Sequence, residues 1–236
     1  MELKNKKEDQ IIFKAEIEES LANALRRYLH HIPILAVDEI EISKNDSAPY
    51  DETIAHRIGL IPLKMDKIPK EKSELNITLN TKKEGMVYSE ELKGTINPAY
   101  QKIPITFLGE NQELILTANI TEGRGYEHAK FSAGHLFYRN AVKIDVDKKC
   151  PQEIVNICPQ KVFALENQRV VVKDSSKCDM CDSCIDKSSK ELIKISPTKD
   201  LIITIESFGQ LNVEEIFVRS LKELKLSLKE TIKKIG

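Results

Sequence analysis

Residues 20–43 read SLANALRRYLHHIPILAVDEIEIS, and this stretch sets the fold class. Leu21, Leu25, Tyr28 and Ile32 are spaced by four, three and four residues. That spacing lines one face of a helix and leaves Arg26 and Arg27 on its flank. Pro33 stops the helix, because proline lacks the amide that a helix interior uses and its ring clashes with the preceding turn. Beyond it Ile40 and Ile42 alternate with Glu39, Glu41 and Ser43, a period of two that predicts a strand.

Strand-like and helix-like segments continue on both sides. IIFKAEI (11–17) alternates as a strand, Ser47 to Pro49 marks a turn, and Asp51 starts a short helix through about Leu60, ended near Pro62. ELNITLN (74–80), ELILTANI (113–120) and LIITIES (201–207) read as further strands, joined by linkers rich in Lys, Glu, Asn and Gly. The last segment is the strongest helix. Asn212 is its N-cap and Glu215 completes a capping-box-like pattern. Val213, Phe217, Leu221, Leu224, Leu228, Ile232 and Ile235 then follow at spacings of four, four, three, four, four and three. At about 1.5 Å per residue this helix is roughly 35 Å long. Glu215–Arg219 and Glu230–Lys234 stand four apart on its charged face, a spacing that supports a helix. One small sheet can bury part of the apolar stripes of both end helices, but not all of the terminal one. An ordinary core helix and a partner-binding helix both fit this periodicity. The fold class is α+β.

A chain of 236 residues holds one large domain or two to three small ones. Its hydrophobic content of 41% is ordinary for a globular protein. The net charge of -1 gives no overall positive field to neutralise phosphates, which argues against primary nucleic-acid binding. The charged start, MELKNKKEDQ, is unlike a secretory signal. The longest apolar run, about Ile32 to Val37, is far short of the roughly 20 residues that span a bilayer, so no membrane role is expected. Asn76 and Asn119 match the glycosylation pattern, which carries no information without secretion. The expected compartment is cytoplasmic, where the five cysteines would be free or metal-bound rather than disulfide-paired.

All five cysteines fall between Cys150 and Cys184. Cys178-Asp-Met-Cys181-Asp-Ser-Cys184 is a C-x2-C-x2-C run, and Cys158 precedes Pro159. Three thiolates on a tight loop can bond three corners of a cuboidal cluster, and a remote cysteine caps the fourth. Residues 147–190 resemble part of a bacterial-type ferredoxin module. The resemblance implies that Cys158, Cys178, Cys181 and Cys184 ligate the iron of one [4Fe–4S] or [3Fe–4S] cluster. The second site of such a module is lost: Ser188 and Ser189 replace its Cys-Pro, and Lys148, Pro151 and Ile154 stand where its triplet would fall. Zinc is the alternative metal, although structural zinc favours paired C-x2–4-C motifs over a triplet and a single. Cys150 is out of register and is expected to have no ligand role. A single cluster can serve as an electron carrier or as a structural staple. The missing relay partner favours the staple.

Leu21-Ala-Asn-Ala-Leu-Arg-Arg27, with Ile34-Leu-Ala-Val-Asp-Glu-Ile-Glu-Ile42, resembles the start of the D-type subunits of archaeal DNA-directed RNA polymerase. That family is related to the bacterial α subunit N-terminal domain and to the third-largest subunit of eukaryotic RNA polymerase II. Tyr50-Asp-Glu-Thr-Ile-Ala-His-Arg-Ile-Gly-Leu-Ile-Pro-Leu63, His128-Ala-Lys-Phe131 and the Glu206-to-Leu211 lead-in extend the likeness along nearly the whole chain. The resemblance implies an α-like dimerisation domain from residues 1–46 and 197–236. It also implies an inserted β-rich domain at 47–146 and a ferredoxin-like cluster domain at 147–196. The implied function is a non-catalytic platform that pairs with the small α-like subunit L. Subunits N and P and the second-largest catalytic subunit would then join, with nucleic acid reached only through them. Leu21, Leu25, Tyr28, Phe217, Leu221, Leu224, Leu228 and Ile232 would form the partner interface.

No catalytic constellation competes with this reading. His30, His31, His56, His128 and His135 lack an adjacent nucleophile or metal-ligand spacing. Gly123-Arg-Gly125 reads as a β-turn rather than a phosphate cradle, and Glu90–Glu91 as solvated charge. An independent ferredoxin-like electron carrier and an iron or redox sensor are the rival functions.

Overall fold

The structure, a computed structural model, describes residues 2–65, 75–188 and 191–235. Two of the residues singled out in the sequence, Glu74 and Ser189, lie outside them. Strands β1 (Glu2–Lys6) and β2 (Gln10–Ala15) lead into helix α1 (Glu19–Leu29), strand β3 (Pro33–Asn45) and helix α2 (Asp51–Gly59). Then come β4 (Asn76–Thr81), β5 (Gly85–Tyr88), β6 (Lys93–Gly94), β7 (Pro104–Leu108), β8 (Leu114–Arg124) and β9 (Gly134–Val146). The cysteine-bearing stretch contributes α3 (Ile154–Ile157), β10 (Phe163–Glu166), β11 (Arg169–Val172) and α4 (Ser183–Lys187). Strand β12 (Ile193–Ser207) and helix α5 (Val213–Ile235) follow. The architecture is therefore mixed α and β. Among the described residues no helix is long and apolar enough to cross a membrane.

The chain forms two compact units. The first takes in Met1–Lys6, Ile12–Ala22 and Phe137–Thr204, so the cysteine-bearing stretch shares a unit with the start of the chain. Most of the sheet with strand order β1-β2-β12-β9 belongs to it. Lys14 reaches Asp200 at 2.6 Å between β2 and β12, and the Thr198 hydroxyl donates to the Ala141 carbonyl at 3.1 Å between β12 and β9. β12 is longer than the predicted 201–207, running back through Pro197 to Ile193.

The second unit takes in Lys7–Ile11, Asn23–Leu136 and Ile205–Gly236. Its sheet has the order β3-β8-β4-β6, beside a two-stranded ribbon of β5 and β7. β3 pairs antiparallel with β8 from Pro33 opposite Arg124 to Asn45 opposite Leu114. The register shifts between Val37 and Glu39 and between Ile42 and Lys44, each shift admitting an extra residue that bends the strand. Ile34 to Val37 are all buried, so the strand is enclosed on both faces before the predicted alternation begins. Proline is tolerated at its first position, where no ladder amide is required. Gly123 lies within β8 opposite Ile34, so only the end of the glycine pair enters a turn.

α1 ends a turn before the predicted Ile32. The amides of His30, His31 and Ile32 reach back three residues, to the carbonyls of Arg27, Tyr28 and Leu29, in the tightened last turn common at helix ends. α2 lies against β3 and buries Ile54 and Ile58. At the head of α5 the Asn212 carbonyl accepts from the Ile216 amide at 3.0 Å. The Glu215 carboxylate accepts from Arg219 at 2.6 Å, the pair that the four-residue spacing predicted. The turn into α5 uses Gly209 at φ +98°, where its amide donates to the Ser207 hydroxyl.

Gly134 at the head of β9 marks the closest approach of two strands. A Cβ added there would sit 2.0 Å from the Glu206 carbonyl oxygen, so backbone must shift to admit it. Gly134→Ala is expected to cost about 2 kcal/mol, in the range for overpacked sites. The loss is read as a melting temperature lower by roughly 4–8 °C, whereas Gly85→Ala, with open space around it, is strained only by its φ of +122°.

Candidate functional site

Cys178 lies 20 positions after Cys158 in sequence, and a hairpin brings them back together. β10 and β11 pair antiparallel from Phe163 opposite Val172 to Glu166 opposite Arg169. Their two-residue turn, Asn167 and Gln168, takes φ +47° and +60°, the left-handed pair that matches strand twist. At the open end the Val162 carbonyl accepts from the Lys173 amide at 2.8 Å. The loop that follows is pinned by Asp174, whose carboxylate accepts from the Ser176 amide at 3.0 Å. Arg139 on β9 then donates to the carbonyls of both Ser176 and Cys178. Within the cysteine run, Met180 and Asp182 adopt φ +56° and +58°, reversing the chain on either side of Cys181. α4 begins immediately after and carries Cys184.

These devices put all four predicted cysteines around one recess, with Pro159, Gln160, Val162, Phe163, Asp179 and Ile195 among its other walls. It is tight, a cavity of about 10 Å³. Cys158, Cys178 and Cys184 are buried and Cys181 is exposed. The three buried thiols belong to an apolar core with Val142, Ile154, Val162, Phe163, Val170 and Ile193. Cys150 is buried in the same core, but it does not line the recess. The Cys158 sulfur accepts from the Val162 amide at 3.5 Å.

Burial pushes the thiol of Cys178 up, and that of Cys184 up to about 11. At neutral pH these two thiols are therefore protonated, and any metal they ligate must displace those protons. Among the described residues, no three His, Cys, Asp or Glu side chains are gathered closely enough to hold a single ion.

The predicted interface residues divide in two groups. Leu25 is buried in its own chain, Tyr28 is half-buried and donates its hydroxyl to Ser227 on α5 at 2.6 Å, and Leu21 is exposed. On α5 the buried face is Val213, Ile216 and Ser220. Phe217 and Leu224 are half-buried, while Leu221 is exposed. Exposure then climbs along the helix, from 55% at Leu228 to 69% at Ile232 and 82% at Ile235. Val218 and Leu226, which the spacing did not single out, are exposed as well. Two of the histidines make packing contacts: His30 meets the Ser132 hydroxyl at 3.2 Å, and His31 stacks on Tyr28 with centroids 4.6 Å apart.

The chain is similar to known proteins along most of its length. The model of the RNA polymerase Rpb3/RpoA insert domain matches residues 40–147. DNA-directed RNA polymerase subunit Rpo3 of Thermococcus kodakarensis is 33% identical, covering 93% of this chain and 91% of that relative. Subunit Rpo3 of Pyrococcus furiosus is 32% identical over 95% of this chain and 92% of its own. DNA-directed RNA polymerase II subunit rpb3 of Dictyostelium discoideum is 30% identical over 97% and 91%.

The role of Arg139 is checked without any metal. Arg139→Gln removes a charged donor from two carbonyls of the cysteine loop. Charge-assisted bonds of this kind contribute about 1.5–3 kcal/mol, so hydrogen exchange of the amides from Ser176 to Met180 is expected to quicken by roughly tenfold or more. Unchanged protection would show that the loop is held by other means.

Proposed function

Because this chain belongs to the family of archaeal Rpo3 and eukaryotic Rpb3 subunits of DNA-directed RNA polymerase, we propose that it is a non-catalytic platform on which an archaeal-type polymerase assembles. The observation that carries this reading is the outer part of α5. From Leu221 onward the helix has no fully buried residue among those described, yet it keeps Leu221, Leu228, Ile232 and Ile235 in its apolar repeat. A helix this exposed gains little from its own chain, since most helical stability comes from packing an apolar face.

The partner for that face is the small α-like subunit L, docking helix against helix, and Tyr28 of α1, bonded to Ser227, extends the surface. Obligate interfaces of this sort commonly bury more than about 2,000 Å². Subunits N and P and the second-largest catalytic subunit then add to the heterodimer, in the cytoplasm. Leu25 contributes to this surface by supporting α1 from within.

In the same reading the cysteine recess holds one iron–sulfur cluster, ligated by Cys158, Cys178, Cys181 and Cys184. The donor set suits it: four thiols from two separated chain segments line one recess. Bound there, the group supplies metal–thiolate bonds that tie the Cys158 segment to the loop from Cys178 to Cys184. Three of its ligands are core residues, so ligation and packing reinforce each other.

Two experiments test the two parts. Leu228→Glu combined with Ile232→Glu alters only exposed positions and leaves the melting temperature of the isolated chain nearly unchanged. It is expected to weaken pairing with subunit L by about 30-fold or more, the scale of an interface hot spot. Full pairing by that double variant refutes the platform reading. Anaerobically purified chain is expected to contain iron and sulfide, which Cys178→Ser with Cys184→Ser removes. Stoichiometric zinc in place of iron would overturn the cluster.

A further inference from the structure

The Tyr50–Leu63 stretch carries a feature that neither the helical stripe nor the cysteine recess uses. Its helix α2 packs through Ile54 and Ile58, but Arg57 faces outward. Nη1 of Arg57 donates to the Ile105 carbonyl on β7 at 2.7 Å. A guanidinium has five N–H donors, and no carboxylate pairs with this one among the described residues.

Arg57 lines a recess of about 570 Å³ with Ala48, Pro49, Met86, Pro104 and Phe107 among its walls. Met86 and Phe107 are direct cross-strand partners in the β5–β7 ribbon, and they are 44% and 56% exposed. Paired on one face, they present a large apolar surface to solvent beside a cation. Two other polar wall groups are already engaged. Asp46 accepts from the Glu113 amide at 3.1 Å and meets Lys44 at 3.3 Å, and Gln112 accepts from the Gly109 amide at 2.7 Å. Thr106, 2% exposed, lines the same recess with a buried hydroxyl that has no hydrogen-bond partner among the described residues.

From this geometry we infer that the recess receives a segment of another polymerase subunit that carries an acidic residue beside a large apolar one. The inference rests on the platform reading and adds a second docking site to it, on the inserted β-rich part of the chain. The carboxylate pairs with the free edge of Arg57, and the apolar side chain covers Met86 and Phe107. Arginine, methionine and aromatic residues are the types enriched where protein interfaces exclude water, and a guanidinium whose orientation is already fixed loses little entropy on pairing. A nucleic-acid phosphate would satisfy Arg57 but would leave Met86 and Phe107 in water. The chemistry therefore favours a protein segment.

The test uses the complete polymerase. A photoreactive p-benzoylphenylalanine replaces Phe107, and the assembled enzyme is irradiated. The expected result is a crosslink to one other subunit, at a peptide with Asp or Glu next to an apolar residue. In a second arm, Arg57→Glu and wild-type chains compete for assembly. Arg57→Glu is expected to enter at least tenfold less often while melting at the same temperature, and Arg57→Lys to fall between. If wild-type chain enters a polymerase while Arg57→Glu enters equally well, or position 107 crosslinks to nothing or only to nucleic acid, the second docking site is wrong and the platform reading stands. If wild-type chain enters no polymerase, both fail.

Discussion

Strand β12 lies between β2 and β9, so a strand from near the beginning of the chain and one from near its end become neighbours in a single sheet. Closing so long a span is less costly than it looks, because loop entropy grows only with the logarithm of length. Two polar links fasten the pair: Lys14 to Asp200 at 2.6 Å, and Gln10 to Glu206 at 2.7 Å. Each of these strands runs through a short connection into a helix, α1 after β2 and α5 after β12. Strand pairing therefore decides where the helices start, and near the end of α1 the Tyr28 hydroxyl donates to Ser227 on α5 at 2.6 Å. The long insertions between these strands are free to carry other sites.

Much of this was legible in the sequence wherever burial is periodic. Helices α2 and α5 and strand β8 form where they were expected, whereas α1 buries Ala22, Leu25 and Leu29 rather than Leu21 and Tyr28. The orientation of α5 did not follow. Its repeat of large apolar residues runs Val213, Phe217, Leu221, Leu224, but its own chain buries Val213, Ile216 and Ser220. Ser220 conceals the true inner face: its hydroxyl is buried by bonding to the Phe217 carbonyl at 2.8 Å, so a polar letter occupies a core position. The turn of the β10–β11 hairpin was hidden because Asn167 and Gln168 take left-handed angles without a glycine to announce them. The full extent of β12 was hidden by Pro197, which reads as a break and is accommodated within the strand.

The cysteine site was legible for a different reason. Three thiols spaced by three residues on one loop stay together whatever the surrounding elements are, and the structure sets Cys158 at the same recess. Nothing local pointed to Arg139, which is 39 residues from Cys178 and acts on main-chain carbonyls that any residue could supply. Nor did the spacing reveal that Cys158, Cys178 and Cys184 pack with Ile154, Val162 and Phe163 in an apolar core. Those thiols are themselves hydrophobic filling, which free cysteine does well.

The uncovered end of α5 also bears on how many copies of this chain a cell can keep. Apolar surface that only a partner can cover is the kind that draws aggregation in a lone subunit, and an exposed, weakly held helix opens readily to proteolysis. A copy made in excess of its partners is thus the vulnerable one, whereas an assembled copy is shielded. On the platform reading, the stripe that a partner would cover marks the surplus for removal when left bare, and so holds the subunits to equal numbers without a dedicated counting device.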